Sequence, residues 1–401
     1  MSLVQAVLGS RGSSVRRSPG GAGTVSIPLL QAEDVARGAY LAPALVAITV
    51  LLVGFGLLSV YSASSFTAQA EGLPDSYYLV QQAARALVGL AVLLAAAFVD
   101  YRVYRHLAWP MLALTVALLV LVVLPATEAI APRLNGARRW LIAGVTFQPS
   151  ELAKIAIVVW TAALAVKKQD RLRSLRQGLL PFLVVIGPVC LLILLEPHLS
   201  GAMLVGALAF IVLFAAGGRL GHFMFLGALG VPVLWDQVAN TGYRMNRMMA
   251  FLKPGVGADD IGYQLNQSLI AIGSGGPLGV GFGQSRQKLL YLPEPQNDFI
   301  FSIIAEEWGL VGSVVLIGLF LAWSIIGLRI AACAPDLFGR LLAIGLTSMV
   351  AVGAFAHIGV TLGVFPTTGV NLPFISAGGT GLVLALGVAG ILVNIAKQRR
   401  C

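Results

Sequence analysis

Residues 41–63 read LAPALVAITVLLVGFGLLSVYSA, 23 residues without one Asp, Glu, Lys or Arg. As a helix such a run exceeds the ~30 Å hydrocarbon core of a bilayer, for which roughly 20 apolar residues suffice. It leaves no polar face for water, so lipid is the solvent it specifies. Working outward, comparable runs lie near 80–99, 107–125, 151–167, 179–195, 201–217, 222–239, 299–329, 339–364 and 375–396. Ten runs predict an all-α polytopic membrane protein with about ten transmembrane helices and a large extracytoplasmic loop, 240–298, between helices 7 and 8. Gly217, Gly218 and Arg219 barely separate the sixth run from the seventh. The eighth is long enough to tilt or to begin outside the bilayer.

Composition excludes the alternatives. Of 401 residues 58% are hydrophobic and 11% charged, against about 25% charged in soluble domains. These charges are too few to cover a soluble particle, and disordered, collagenous and coiled-coil classes fail on the same numbers. Cys190, Cys333 and Cys401 form no Cys-x-x-Cys and no zinc spacing. The net charge of +10 would suggest nucleic acid in a soluble protein. Here its placement has a topological explanation, and no nucleic-acid partner is expected.

Alternate loops separate by charge. Arg11, Arg16, Arg17, Arg37, Arg102, Arg105, the cluster from Lys167 to Arg176, Arg219, Arg329, Arg340, Lys397, Arg399 and Arg400 fall on one side. That side holds 17 of the 27 basic residues and is therefore read as cytoplasmic, with both termini inside. Residues 1–40, rich in Gly, Ser and Arg, read as a disordered basic cytoplasmic tail before an uncleaved first span, with a transit peptide as the alternative. Residues 41–396 form the membrane domain and 397–401 a cytoplasmic C-terminal tail.

Two outer loops break the charge rule. Arg133, Arg138 and Arg139 lie in 126–150, and Arg244, Arg247, Lys253, Arg286 and Lys288 in 240–298. The second loop is long and its interior partly apolar, as in Gln267-Ser268-Leu269-Ile270-Ala271-Ile272. It is expected to fold back onto the membrane surface as short interfacial helices. Arginines outside, against the topological bias, point to an anionic ligand such as a phosphate; contact with anionic lipid headgroups is the alternative.

Single residues carry competing readings. Asp298, before the eighth span, is either a helix N-cap or an acid/base carboxylate at the lipid–water boundary. Glu306 and Glu307 lie inside that span, where carboxylates are functional candidates by default. They diverge by about 100°, and one of them is expected to pair with a cation such as Arg85 or Lys154, also in spans, so that a structural ion pair is expected for at least one. Ser150-Glu151 with Lys154 is a helix start with an i,i+3 ion pair. The glycines from Gly273 to Gly283 fit neither a Walker loop nor a dinucleotide fingerprint, so no organic cofactor is expected. His198 and His357 lack ligand spacing.

Several stretches together are specific. Gly262-Tyr263-Gln264-Leu265-Asn266-Gln267-Ser268 runs on to Tyr291-Leu292-Pro293-Glu294, Asp298-Phe299-Ile300-Phe301 and Glu306-Glu307-x-Gly309. Asn135-Gly136-Ala137-Arg138-Arg139-Trp140, Gln148-Pro149-Ser150-Glu151-Leu152-Ala153-Lys154, Tyr61-Ser62-Ala63-Ser64-Ser65 and Leu372-Pro373-Phe374-Ile375-Ser376-x-Gly378-Gly379 add to them. In this order, over about 45–395, the chain resembles the SEDS family (shape, elongation, division and sporulation), and more the FtsW than the RodA branch. The resemblance implies a peptidoglycan glycosyltransferase of the bacterial cytoplasmic membrane that polymerises lipid II, for septal wall synthesis in that branch. It implies a class B penicillin-binding protein as partner, with other divisome or elongasome membrane proteins.

The family's essential acid maps onto Asp298. Arg138, Trp140 and Lys154 fall at motif positions expected to shape the substrate site. Lipid II is a prenyl diphosphate, and glycosyl transfer needs a base on the acceptor hydroxyl and positive charge on the departing diphosphate. Asp298 is therefore the expected base, and Arg138, Arg139, Arg244 and Arg247 the expected diphosphate contacts. Gln267, Ser268, Lys288 and Glu294 complete the expected substrate set. A divalent cation, Mg²⁺ or Mn²⁺, would suit one carboxylate with diphosphate oxygens.

The chain departs from the family pattern at His198 (commonly Asp), Gln296, Asn297, His357 and Ala377, and the first of these puts a second carboxylate in doubt. Two rivals stand beside the enzyme: a flippase for the same lipid, whose intramembrane charges would line a path, and a non-catalytic scaffold, in which Asp298 would be a cap.

Overall fold

The computed structural model describes residues 40–133, 137–142, 146–252 and 262–398. Residues 1–39 of the expected N-terminal tail 1–40, Lys253, and Arg399, Arg400 and Cys401 of the expected C-terminal tail lie outside the described residues. Ten helices follow the apolar runs: α1 (Leu41–Ala70), α2 (Tyr77–Phe98), α3 (Arg102–Val123), α4 (Pro149–Lys167), α5 (Leu180–Leu195), α6 (Leu199–Ala215), α7 (Leu220–Ala239), α10 (Ile300–Ala332), α11 (Leu337–Thr361) and α12 (Gly379–Lys397). Two shorter ones, α8 (Gly242–Leu252) and α9 (Tyr263–Ser274), lie in the long loop. Among the described residues nine helices are long and apolar enough to cross a membrane, α5 being counted with the π-helical turn Leu175–Leu179 that leads into it, and α6, at 17 residues, is the short tenth. The sixth and seventh runs are separate helices, because Gly217 takes a left-handed turn (φ 100°) between them.

The helices form two shells. In α4, α11 and α12 the most apolar 18-residue window is 67% buried, whereas in α1 and α2 it is 22% buried. The outer helices thus present their apolar sides to lipid, and the inner ones form the protein core. Helix association in lipid depends on close packing rather than on apolar burial from water, so small residues mark the contacts. A Cβ at Gly390 of α12 would lie 2.3 Å from the Leu93 carbonyl oxygen of α2, and one at Gly345 of α11 2.4 Å from Val158 of α4. Polar ties join the helices as well: Trp323 Nε1 donates to Thr49 Oγ1 (3.0 Å), and the Tyr101 N–H to Asn394 Oδ1 (2.9 Å).

Two departures from the expected spans shape the site. Helix α12 begins at Gly379, because Leu372–Gly378 stays irregular and packs on α1; a Cβ at Gly56 would sit 2.7 Å from the Phe374 carbonyl oxygen. The loop 126–150 carries a small antiparallel ribbon, β1 (Leu141–Ile142) with β2 (Thr146–Phe147), which the apolar pattern did not announce.

The long loop does form short helices, but it does not simply lie on the membrane surface. Residues 275–287 enter the bundle and pair with a break in α10. At Gly309 (φ 66°, ψ −162°) that helix is interrupted. The Val280 and Gly281 N–H groups bond the Glu306 and Glu307 carbonyls (3.0 and 3.1 Å). The Leu310 and Val311 N–H groups return to the Gly276 and Pro277 carbonyls (2.9 and 3.1 Å). Non-helical backbone at membrane depth is tolerated only when its polar groups are paired in this way. Glycine is required by the approach: a Cβ at Gly279 would lie 2.2 Å from the Glu307 carbonyl oxygen, and one at Gly309 2.3 Å from the Gly279 nitrogen.

Candidate functional site

The segment before α10 is held from both sides. Ser376 Oγ donates to the Asn297 carbonyl (2.8 Å), and the Ala377 N–H to the Gln296 carbonyl (3.0 Å). This docks 294–298 on the irregular entry to α12 and sets Asp298 half-buried against Gly369, where a Cβ would meet Oδ2 at 3.3 Å. The N-cap of α10 is Phe299, and no side chain caps that helix. Asp298 accepts no hydrogen bond from the described residues. Burial, then repulsion from Glu294, pushes its carboxyl up to about 6, against the opposing pull of Arg247 and Arg139.

The two arginines reach this carboxylate from different elements. Arg247, on α8, donates to the Thr367 carbonyl (3.1 Å) in the loop that carries Gly369. Arg139, leading into β1, donates to the carbonyls of Glu196 (3.3 Å) and Pro197 (2.6 Å) at the turn from α5 to α6. Glu294 is exposed beside them and accepts from Asn297 Nδ2 (2.7 Å).

Other expected substrate residues are placed elsewhere. Arg138, one residue from Arg139, pairs with Glu128 and donates to the Leu124 carbonyl (3.2 Å) at the end of α3. The two adjacent arginines thus part company. Arg244 turns back to Gln237 of α7, at 3.0 Å to its carbonyl and 3.1 Å to Oε1. Ser268 is fully buried, 2.6 Å from Ser302 Oγ and donating to the Thr361 carbonyl (2.8 Å), where it ties α9 to α10 and α11. Trp140 and Gln267 are half-buried.

The intramembrane charges find partners other than those expected. Glu307 binds Lys288 Nζ (3.1 Å), Ser62 Oγ (2.5 Å) and the Ser285 N–H (3.4 Å). Glu306 accepts from Ser285 Oγ (2.5 Å) and from the N–H groups of Arg286 (3.0 Å) and Gln287 (3.4 Å). Neither meets Arg85 or Lys154. Lys288 is buried as the counter-ion of Glu307, which removes it from a substrate surface. Lys154 pairs with Glu151 (2.6 Å), as an i,i+3 pair should. Arg85 donates to Gln81 (3.2 Å) and lies against the first turn of α12.

Inside this end of the bundle lies a cavity of about 40 Å³, lined by Glu151, Lys154, Asn371, Ser376, Gly378 and Gly381 among others. It has room for a few water molecules, and its Ser376 wall carries the segment that ends in Asp298. A smaller cavity of about 10 Å³ beside Arg219 and His222 has no carboxylate in its lining. The residue that the sequence reading missed here is Glu196, buried with both carboxylate oxygens unbonded among the described residues. A carboxylate ending an apolar span, in an outer loop without Lys or Arg, was the available signal. Among the described residues no three His, Cys, Asp or Glu side chains stand together to hold a metal ion.

Fold and site define a polytopic α-helical membrane protein that holds Asp298, unbonded among the described residues, within electrostatic reach of Arg139 and Arg247 at the end of its bundle. The chain belongs to the family described as cell cycle protein, FtsW/RodA/SpoVE, whose model matches residues 43–401. It is 41% identical over 350 residues to the "Probable peptidoglycan glycosyltransferase FtsW" of Geobacter sulfurreducens, covering 87% of this chain and 93% of that one. It is 39% identical to the stage V sporulation protein E of Bacillus subtilis, covering 89% and 97%. Among solved structures, the rod shape determining protein RodA of Thermus thermophilus aligns with a TM-score of 0.64 at 28% identity, over 89% of this chain and 97% of that one. A chain from a structure on the coordination of polymerization and crosslinking by a peptidoglycan synthase complex aligns with a TM-score of 0.72 at 28% identity, over 88% and 96%.

Proposed function

We propose that this protein is a peptidoglycan glycosyltransferase that polymerises lipid II into glycan strands at the outer face of the bacterial cytoplasmic membrane. The observation that carries the reading is Asp298: a half-buried carboxylate without a hydrogen bond among the described residues, its pKa raised to about 6, with Arg139 and Arg247 in electrostatic reach. A base poised just below neutral pH combines an ionised resting state with a useful proton affinity. In this reading Asp298 takes the proton from the acceptor sugar hydroxyl as that oxygen attacks the anomeric carbon. Arg139 and Arg247 offset the charge that develops on the departing diphosphate. Were a divalent cation bound, Asp298 with the nearby Glu294 would be the carboxylates to hold it, and it would supply further positive charge to the departing diphosphate.

The similarity to FtsW relatives favours a septal role, and the synthase-complex neighbour favours a class B penicillin-binding protein as the partner that cross-links the strands. The loop charges favour both termini in the cytoplasm. The flippase reading loses support from the intramembrane charges: Glu307–Lys288 and Glu151–Lys154 are closed pairs and Glu306 is saturated with donors. The scaffold reading loses support because Asp298 does not cap α10.

The test is polymerisation of lipid II in liposomes by purified protein with a transpeptidase-dead partner, comparing wild type with Asp298→Asn and with partner alone. Polymer from wild type and none from the variant is expected. Equal polymer from both would remove Asp298 as the base. A folded, substrate-loaded complex that makes no polymer in either form would overturn the enzyme reading.

A further inference from the structure

Glu196 closes α5, and its carboxylate is 0% exposed. Neither oxygen has a hydrogen-bond partner among the described residues. Buried polar groups are almost always bonded, because an unmade bond costs the desolvation of the group. As a structural element Glu196 therefore holds nothing: the turn is fixed by its main chain, whose carbonyls at 196 and 197 seat the Arg139 guanidinium at 3.3 and 2.6 Å. What its side chain can still do is change charge beside that guanidinium, which is in turn within reach of Asp298.

The groups facing this turn are few. Arg139 comes from the ribbon. His198, on the turn itself, contacts Ser150 Oγ of α4 through Nδ1 (3.2 Å), with Lys154 one turn along that helix. Burial pushes His198 down to about 3, with Arg139 and Lys154 adding to the effect, so it is neutral in the working range. Burial pushes Glu196 up to about 8, with Arg139 pulling the other way. Asp298 ionises below that, at about 6.

We propose that Glu196 is a positioning residue that acts through Arg139: neutral, it leaves the guanidinium to the substrate's diphosphate, and ionised, it competes with the diphosphate for it. The inference rests on the prenyl-diphosphate reading of the site. No bond to substrate is made or broken; the carboxyl gives its proton to water, and the buried anion is then compensated by Arg139.

The experiment is binding of undecaprenyl diphosphate to the full-length protein in detergent, followed by tryptophan fluorescence between pH 6.5 and 9. For wild type, Kd should climb above a pH of about 8, by as much as about tenfold per pH unit. In Glu196→Gln the climb should vanish, and in Glu196→Asp it should return. A residue that merely filled space would change affinity or melting temperature at every pH and leave the slope as in wild type, and that result overturns the proposal. Should Glu196→Gln fail to fold, Arg139→Gln serves instead: it should weaken binding throughout and flatten the slope, and a slope retained in it overturns the proposal equally. Binding in wild type with a flat Kd sinks this inference alone, whereas no binding at any pH sinks the prenyl-diphosphate reading with it.

Discussion

Glu306 and Glu307, two turns into α10, are saturated: between them they accept from two serine hydroxyls, three backbone N–H groups and the Lys288 ammonium. Asp298, just ahead of the same helix, accepts nothing from the described residues although it is half-buried. Both regions place carboxylates where water is scarce. In the first, donors come from a loop driven into the helix break at Gly309, and the charges become part of the fold. In the second, two cations stand within electrostatic reach and the carboxylate keeps its lone pairs for a ligand. The contrast separates a carboxylate that holds helices from one that can do chemistry, and each side of it can be broken by substitution.

The largest effect falls on the unbonded side. Asp298→Asn keeps shape and removes the base, so polymer formation should drop by about 10²–10⁴-fold with the melting temperature near that of wild type. An equally large drop in melting temperature would erase the contrast. On the saturated side the order reverses. Lys288→Met leaves Glu307 buried without its counter-ion and should cost about 3–5 kcal/mol of stability, read as loss of folded protein in detergent, while molecules that do fold keep their turnover. Replacing Lys288 and Glu307 together with apolar residues should recover a large part of that loss, because neither charge is then stranded.

The pH dependence sharpens the same comparison. Asp298 is ionised above a pKa of about 6. Polymerisation should therefore hold at neutral pH and fall as pH drops through about 6, approaching tenfold per unit below it. A profile flat down to pH 5 would mean that this carboxylate is not the base.

How far the sequence anticipated all this differs between the two regions for physical reasons. The spans were legible to within a few residues at most ends, since each crossing of a bilayer demands an apolar run of roughly 20 residues. Helix α10 was legible as a span but its break was not, because a glycine in a helix signals a kink only once its partner loop is known. The glycines from Gly273 to Gly283 read as a tight turn, and their use became visible only where they meet Gly309. Glu307 was recognised as a charge in need of a cation, yet its cation stands across the bundle's loop rather than on the spans that pattern alone could compare. Asp298 was legible because a motif marks it. Glu196 was not, because a single acid at the end of a span carries no spacing.

Adjacent arginines give the finest version of the contrast. Arg138 and Arg139 are indistinguishable in composition and charge, and both were expected to meet the diphosphate. The chain before β1 sends them to different partners, Arg138 to Glu128 and the end of α3, Arg139 to the α5–α6 turn within reach of Asp298. Arg139→Ala removes a charged donor from the site and should raise KM for lipid II by about 10–100-fold, the equivalent of one charged hydrogen bond at about 1.5–3 kcal/mol. Arg138→Ala removes a pair whose acid is largely exposed, worth at most about 1 kcal/mol, so KM should move by less than about fivefold. Equal effects of the two changes on KM would mean that the ribbon presents both arginines to substrate during turnover, and that the separation seen here belongs only to the resting protein.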